Sequence, residues 1–183
     1  FDRPVAGIQK RMTTQPVTRV PPVTWLAPTG IHAMATFTKL HEEIHEITEK
    51  NNVFRYLIQD RLMCDSKIGQ GIFFDYVKLV RNHMEKVDRD FCRRLLSHES
   101  QTMRNTADRF LAGSSEIKRI FAAYLKQYAV ERHNQLRIKD YPAFVEDTTQ
   151  MFDMVLDRIQ RETEHLYPLM RSLEAQEETK KAA

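Results

Sequence analysis

Between Asp75 and Leu96, DYVKLVRNHMEKVDRDFCRRLL, apolar residues return at steps of three and four: Tyr76, Val77, Val80, Met84, Val87, Phe91 and Leu95. That spacing is one face of a helix, and it predicts a buried stripe from about Ile72 to Ser97. His83 lies on the stripe, one turn from Val80 and from Val87, and Asp88 lies at its border between Met84 and Phe91. An unpaired buried polar group costs about 1–3 kcal/mol, so both residues need partners.

The same period recurs along the chain. A first helix over about 31–63 carries Phe37, Leu40, Ile44, Ile47, Phe54 and Ile58, with Asn51 in the one polar slot. The segment Asp65 to Gly71, DSKIGQG, holds two glycines and is expected to break the helical run. Between His98 and Gly113 a further helical piece is built on Met103, Ala107, Phe110 and Leu111, with Gly113 placed as a C-cap glycine. Ser114 or Ser115 is then expected to start a third helix, whose stripe from Ile117 to Tyr128 fades near Leu136.

Asp140 and Pro142 mark the next start. The fourth helix places Val145, Thr148, Phe152, Val155, Ile159, Leu166 and Leu169 on one stripe, and Glu162 on it too. Pro168 is expected to bend or end this helix, and the charged tail 174–183 to fray. Four amphipathic helices with short connections predict an all-α fold, an antiparallel up-down four-helix bundle over 31–173.

Residues 1–30 have no such period and hold Pro4, Pro16, Pro21, Pro22 and Pro28. Arg3, Lys10, Arg11 and Arg19 face only Asp2, so this arm is basic. One reading is a disordered tail. Another is an extended arm that docks on its own bundle or on a protein partner through Val20, Pro21, Pro22, Val23, Trp25 and Leu26, with the single tryptophan as anchor. A third is a remnant of an organellar transit sequence. An opening on Phe1 is expected of a fragment, a trimmed chain or a processed one.

Charge narrows the function classes. With 28 basic and 25 acidic residues interleaved, the net +3 describes a solvated helical surface rather than a nucleic-acid footprint. No run of eighteen apolar residues exists, so no membrane-spanning helix is expected. Cys64 and Cys92 show no CxxC spacing and read as reduced structural thiols, consistent with a cytoplasmic location. The absence of HExxH, of a glycine-rich phosphate loop and of a serine nucleophile motif points away from an independent enzyme.

Bundles build metal sites from inward side chains on facing helices. The inward or border candidates are His41, His83, Asp88 and Glu162, a set suited to a single iron, zinc or manganese ion. Each has a plainer role open to it. His41 opens the polar run HEEIHEITE and would reach water, and His83 would be a hydrogen-bonded core histidine. Glu162 would pair with His83 or with Arg158 as an internal ion pair that sets helix register. His45, His98, His133 and His165 sit among charged neighbours and read as surface residues.

The runs VRNHMEKVDRDFCRRLLSHES, FAAYLKQY and DYPAFVEDTTQMFDMVLDRIQRETEHLYPLM resemble the hemerythrin-like, or HHE cation-binding, four-helix proteins, from about Phe37 to Leu173. By this resemblance His83 matches the histidine of the helix-two motif, Val87 stands where the motif has glutamate, and Asp88 matches its second acid. Glu162 matches the helix-four glutamate, Arg158 occupies its histidine position, His41 matches a helix-one histidine, and helix three lacks an HxxxH pair. Oxygen-binding members hold two irons with five histidines and two carboxylates, at least three of which this chain lacks. A full di-iron site is therefore not expected. The stretch from Asp140 to Leu169 and the surroundings of His83 are also similar to the metal-free regulator-of-sigma-D (anti-sigma) proteins.

The resemblance implies a non-catalytic regulatory or assembly subunit that binds a protein partner with help from the arm and holds no cofactor. The alternative is a sensor of oxygen, nitric oxide or redox state with a reduced iron or zinc site at His41, His83, Asp88 and Glu162.

Overall fold

Three side-chain caps punctuate the chain where the apolar period is interrupted. The computed structural model of the protein describes the backbone of residues 29–182 and the side chains of residues 38–180 and 182. The proline-rich arm, with Val20, Pro21, Pro22, Val23, Trp25 and Leu26, lies outside the described residues. The first helix, α1, spans Thr29–Leu57. Asp60 then accepts a hydrogen bond from Leu62 N at 2.8 Å and caps the short α2, Arg61–Asp65. Ser66 accepts from Gly69 N at 3.0 Å and caps α3, Lys67–Lys86.

The expected break within Asp65 to Gly71 falls at Ser66 alone, so Gly69 and Gly71 lie inside a helix, and an earlier interruption comes at residues 58–60. The reason at Gly69 is close approach: a Cβ there would sit 2.4 Å from the Met63 carbonyl oxygen. The glycine lets α2 fold back onto the first turn of α3.

Beyond Lys86 the helix continues through a π-helical turn, Val87–Cys92, into α4, Arg93–Leu96. The next helix, α5, runs unbroken over Gln101–Tyr128. Gly113 is thus no C-cap, and neither Ser114 nor Ser115 starts a helix. A small antiparallel pair follows, β1 Ala129–Val130 with β2 Gln135–Leu136, joined through Asn134 in the left-handed region at φ 49°. Asp140 caps α6, Tyr141–Arg161, by accepting from Ala143 N at 3.1 Å, with Pro142 in the first turn as expected.

A second π-helical turn, Glu162–Leu166, leads into α7, Tyr167–Ala182. Pro168 does not end the helix, because the wider turn before it receives the ring. Residues 174–182 are helical rather than a featureless tail, and Glu174 and Glu177 take hydrogen bonds from Arg94 at 3.2 and 3.0 Å.

The described chain is all-α apart from that strand pair, and ion pairs and hydrogen bonds give the helix directions. Lys50 with Asp75 and Lys86 with Glu43 set α1 against α3. Arg81 with Glu131 and Lys118 with Asp88 set α3 and its π turn against α5. Tyr124 with Thr148 and Arg158 with Phe110 set α5 against α6. The Arg55–Asp153 pair, with Tyr141 Oη donating to Ile58 O at 2.5 Å, sets α6 against α1. In each of these helix pairs the contacts run in opposite directions along the two helices.

Between the helices the apolar side chains form two clusters. One is rich in aromatics and includes Phe54, Phe73, Tyr76, Tyr124, Phe144 and Phe152. The other gathers Leu40, Val87, Phe91, Leu95, Leu166 and Met170. Along α3 the first cluster ends with Met84 and the second begins at Val87. Along α6 the first ends with Ile159 and the second begins at Leu166. His83 and Arg158 are buried just before the first cluster ends on their helices, and Glu162 is buried between the two clusters.

Candidate functional site

His83, Arg158 and Glu162 form a polar layer at the boundary of the two clusters. His83, 2% exposed, sits in the last turn of α3, where the helical period that buries Val80 and Met84 also turns its ring inward. Glu162, 0% exposed, starts the π turn of the facing helix. His83 Nε2 lies 2.8 Å from Glu162 Oε2. A carboxylate only accepts, so Nε2 is the donating nitrogen. The other carboxylate oxygen, Oε1, accepts from Arg158 Nε at 2.5 Å, one turn earlier on α6.

Arg158 is held from a second side as well. Its Nη1 donates to Phe110 O at 2.9 Å, and its guanidinium carbon lies 4.6 Å from the centre of the Phe110 ring. A Cβ on Gly113 would come within 3.1 Å of Nη1, so the glycine in mid-α5 makes room for the guanidinium. An arginine matched to a carboxylate and a carbonyl keeps a buried charge balanced, which is the condition for tolerating one.

The sequence-predicted set is only partly assembled. The structure brings His83 and Glu162 together. His41 is exposed on α1. Asp88 belongs to a separate cluster: its Oδ2 accepts from Ser114 Oγ at 2.8 Å and from Lys118 Nζ at 2.7 Å. Its Oδ1 is buried with no protein partner among the described residues. Among the described residues no group of three or more His, Cys, Asp or Glu side chains is placed to share a metal ion. Within His83 and Glu162, one imidazole and one carboxylate would be available to a cation, with the Arg158 charge beside them.

Two participants were missed by the patterning: Ser114 as a buried hydroxyl and Gly113 as a packing site. Arg158 was legible as the residue one turn before Glu162, in ion-pair register on a helix. Ser114 and Gly113 carried no such signal, because a Gly-Ser pair is the ordinary mark of a helix boundary.

The layer's sulfur neighbour is inert. Burial, reinforced by the Asp88 charge, pushes the Cys92 thiol up to about 12. Cys64, buried near Asp65, is pushed up to about 11 for the same two kinds of reason. Both are free thiols, and at neutral pH neither is the thiolate that reacts or ligates. No described helix is long and apolar enough to cross a membrane.

Comparison with known proteins gave no relative: no family model, no curated protein sequence and no solved structure matches the chain.

Proposed function

We propose that the protein is a non-catalytic regulatory or assembly subunit: an antiparallel up-down four-helix bundle of hemerythrin-like type whose polar core works without a metal. The observation that carries this reading is the Arg158–Glu162 pair. The carboxylate that the hemerythrin resemblance would give to a metal has both oxygens engaged, one by a guanidinium and one by His83. The arginine supplies in fixed form the positive charge that a bound cation would bring.

Partner binding is supported by exposed apolar side chains where α1, α2 and α3 meet. Leu62 is 82% and Ile68 75% exposed, and Met63 and Tyr56 are exposed too. Large apolar side chains held in water are available to a partner. In this reading the basic arm, with Trp25 as its anchor, adds a second contact.

Two measurements test the reading. Metal content of protein purified without chelator is expected to be far below one ion per chain. Stoichiometric iron or zinc, lost in His83→Ala, would replace the reading with the sensor of oxygen, nitric oxide or redox state. Deleting residues 1–28 is expected to leave the helical signal intact and to abolish co-purification of the partner, and Trp25→Ala to weaken it. A truncated chain that keeps its partner removes the arm from the contact.

A further inference from the structure

Three hydrogen bonds gather one end of the fold. Arg61 Nη2 donates to Ile138 O at 3.3 Å, Leu136 N donates to Gln70 Oε1 at 3.2 Å, and Tyr141 Oη donates to Ile58 O at 2.5 Å. They hold α2 and the start of α3 against the β1–β2 hairpin and the start of α6. Leu62, 82% exposed, and Met63, 48% exposed, stand on α2, and Ile68, 75% exposed, lies in the first turn of α3. A Cβ on Gly69 would lie 2.4 Å from Met63 O, so the backbone beside Ile68 is packed on that of Met63.

The charge at this end has one sign left over. Over 58–67 and 126–140 the acids are Asp60, Asp65, Glu131 and Asp140, and each is engaged. Asp60 and Asp140 cap helices, Asp65 pairs with Arg61 at 3.5 Å, and Glu131 takes two bonds from Arg81 at 2.9 Å. Lys67, Lys126, Arg132 and Lys139 are exposed, and their side chains have no hydrogen-bond or ion-pair partner among the described residues. Exposed aliphatics accompanied by unpaired cations suit a partner that is apolar at its centre and acidic at its rim.

The same charges select among occupants. The protein's own arm carries Arg3, Lys10, Arg11 and Arg19 against Asp2, and a second copy would bring the same unpaired cations, so both are repelled. An anionic bilayer would match the charge. It has no side chain to place in the cleft of about 390 Å³ between the end of α1 and α6, lined by Tyr56, Ile58, Gln59, Val145 and Thr149 among others. We propose that this end of the fold docks an acidic amphipathic segment of another protein, which covers Leu62, Met63 and Ile68 and pairs its carboxylates with Lys67, Lys126, Arg132 and Lys139. The inference rests on the reading of the protein as a partner-binding subunit and names the chemistry of the partner.

The test titrates the full-length protein with a labelled helix-forming peptide of leucine and glutamate, its leucines along one face, and with the same peptide carrying lysine for glutamate. Metal content is measured on the same sample. The acidic peptide is expected to bind, more weakly as salt rises, and to shift the backbone amide resonances of 61–70 and 129–139. Leu62→Ser with Ile68→Ser is expected to weaken binding about tenfold or more, with the helical signal unchanged. Arg132→Glu with Lys139→Glu is expected to weaken it and to reduce its salt dependence. No binding of the acidic peptide, equal binding of the lysine peptide, resonance shifts confined to other parts of the chain, or binding that survives both double variants overturns the surface alone. So does adsorption to phosphatidylserine vesicles by a protein that ignores the acidic peptide, which assigns this end to a membrane. Stoichiometric metal in the sample overturns the metal-free subunit reading beneath it.

Discussion

Gly113 and Arg158 are matched across the interface of α5 and α6: a Cβ at position 113 would stand 3.1 Å from Arg158 Nη1. That distance is tighter than ordinary packing, and Arg158 is tied to Phe110 O and to Glu162, so it cannot step back without breaking a bond. In an exposed helix interior, Gly→Ala stabilises by about 1 kcal/mol. Gly113→Ala is therefore expected to lose that gain and to lower stability. Gly71→Ala, with open space around its Cβ in α3, should show the gain. Urea unfolding of both variants makes the comparison, and equal gains at the two sites would mean that Arg158 is loosely held.

Gly69 should be the most demanding of the three glycines. A methyl group there meets the Met63 carbonyl at 2.4 Å, a backbone atom that moves only with α2. Gly69→Ala is expected to cost more than Gly113→Ala. A midpoint unchanged from the parent protein would show that α2 shifts freely.

Removing one partner from a buried ion pair leaves the other unmatched, at about 3–5 kcal/mol. Glu162→Gln is expected to fall in that range, because Arg158 would keep its charge in the core. His83→Gln should cost less, about 1–3 kcal/mol, since it removes a hydrogen-bonding ring and not a countercharge. Chemical denaturation that ranked His83→Gln above Glu162→Gln would count against the Arg158–Glu162 pair as the centre of the layer.

Stability should decline at alkaline pH. The Cys92 thiol is raised from the ordinary 9.0 to about 12, and Cys64 to about 11, by burial first. Each folded thiol holds its proton where the unfolded one has released it. Their contribution is complete below about pH 9 and is lost as pH rises toward 11–12. Thermal unfolding from pH 8 to 11 should therefore show a falling midpoint. Cys92→Ala should flatten the decline, and an unchanged slope would assign it elsewhere.

The last turns of α7 are held by exposed pairs of Arg94 with Glu174 and Glu177. Such pairs contribute about 0–1 kcal/mol. Ending the chain after Leu173, the last buried residue of that helix, should lower the midpoint only slightly. A collapse of helical signal would place a larger role on the tail.

The sequence by itself determined what is local. The apolar period of Tyr76 to Leu95 set a buried helix face, and Asp140 with Pro142 set a helix start, because side-chain spacing and first-turn chemistry act within a few residues. It also marked His83 and Glu162 as polar intruders on their stripes, since burial follows from the same period. The tertiary structure decided what depends on distant neighbours. Gly113 is a helix interior because Arg158, from another helix, needs the space. Asp88 turns to Ser114 and Lys118, and His41 to solvent, because facing side chains on other helices determine which border residues are drawn inward. The i,i+4 spacing of Arg158 and Glu162 encodes their pair, but that Glu162 engages His83 from another helix at the same time, at the boundary of two apolar clusters, is a property of packing.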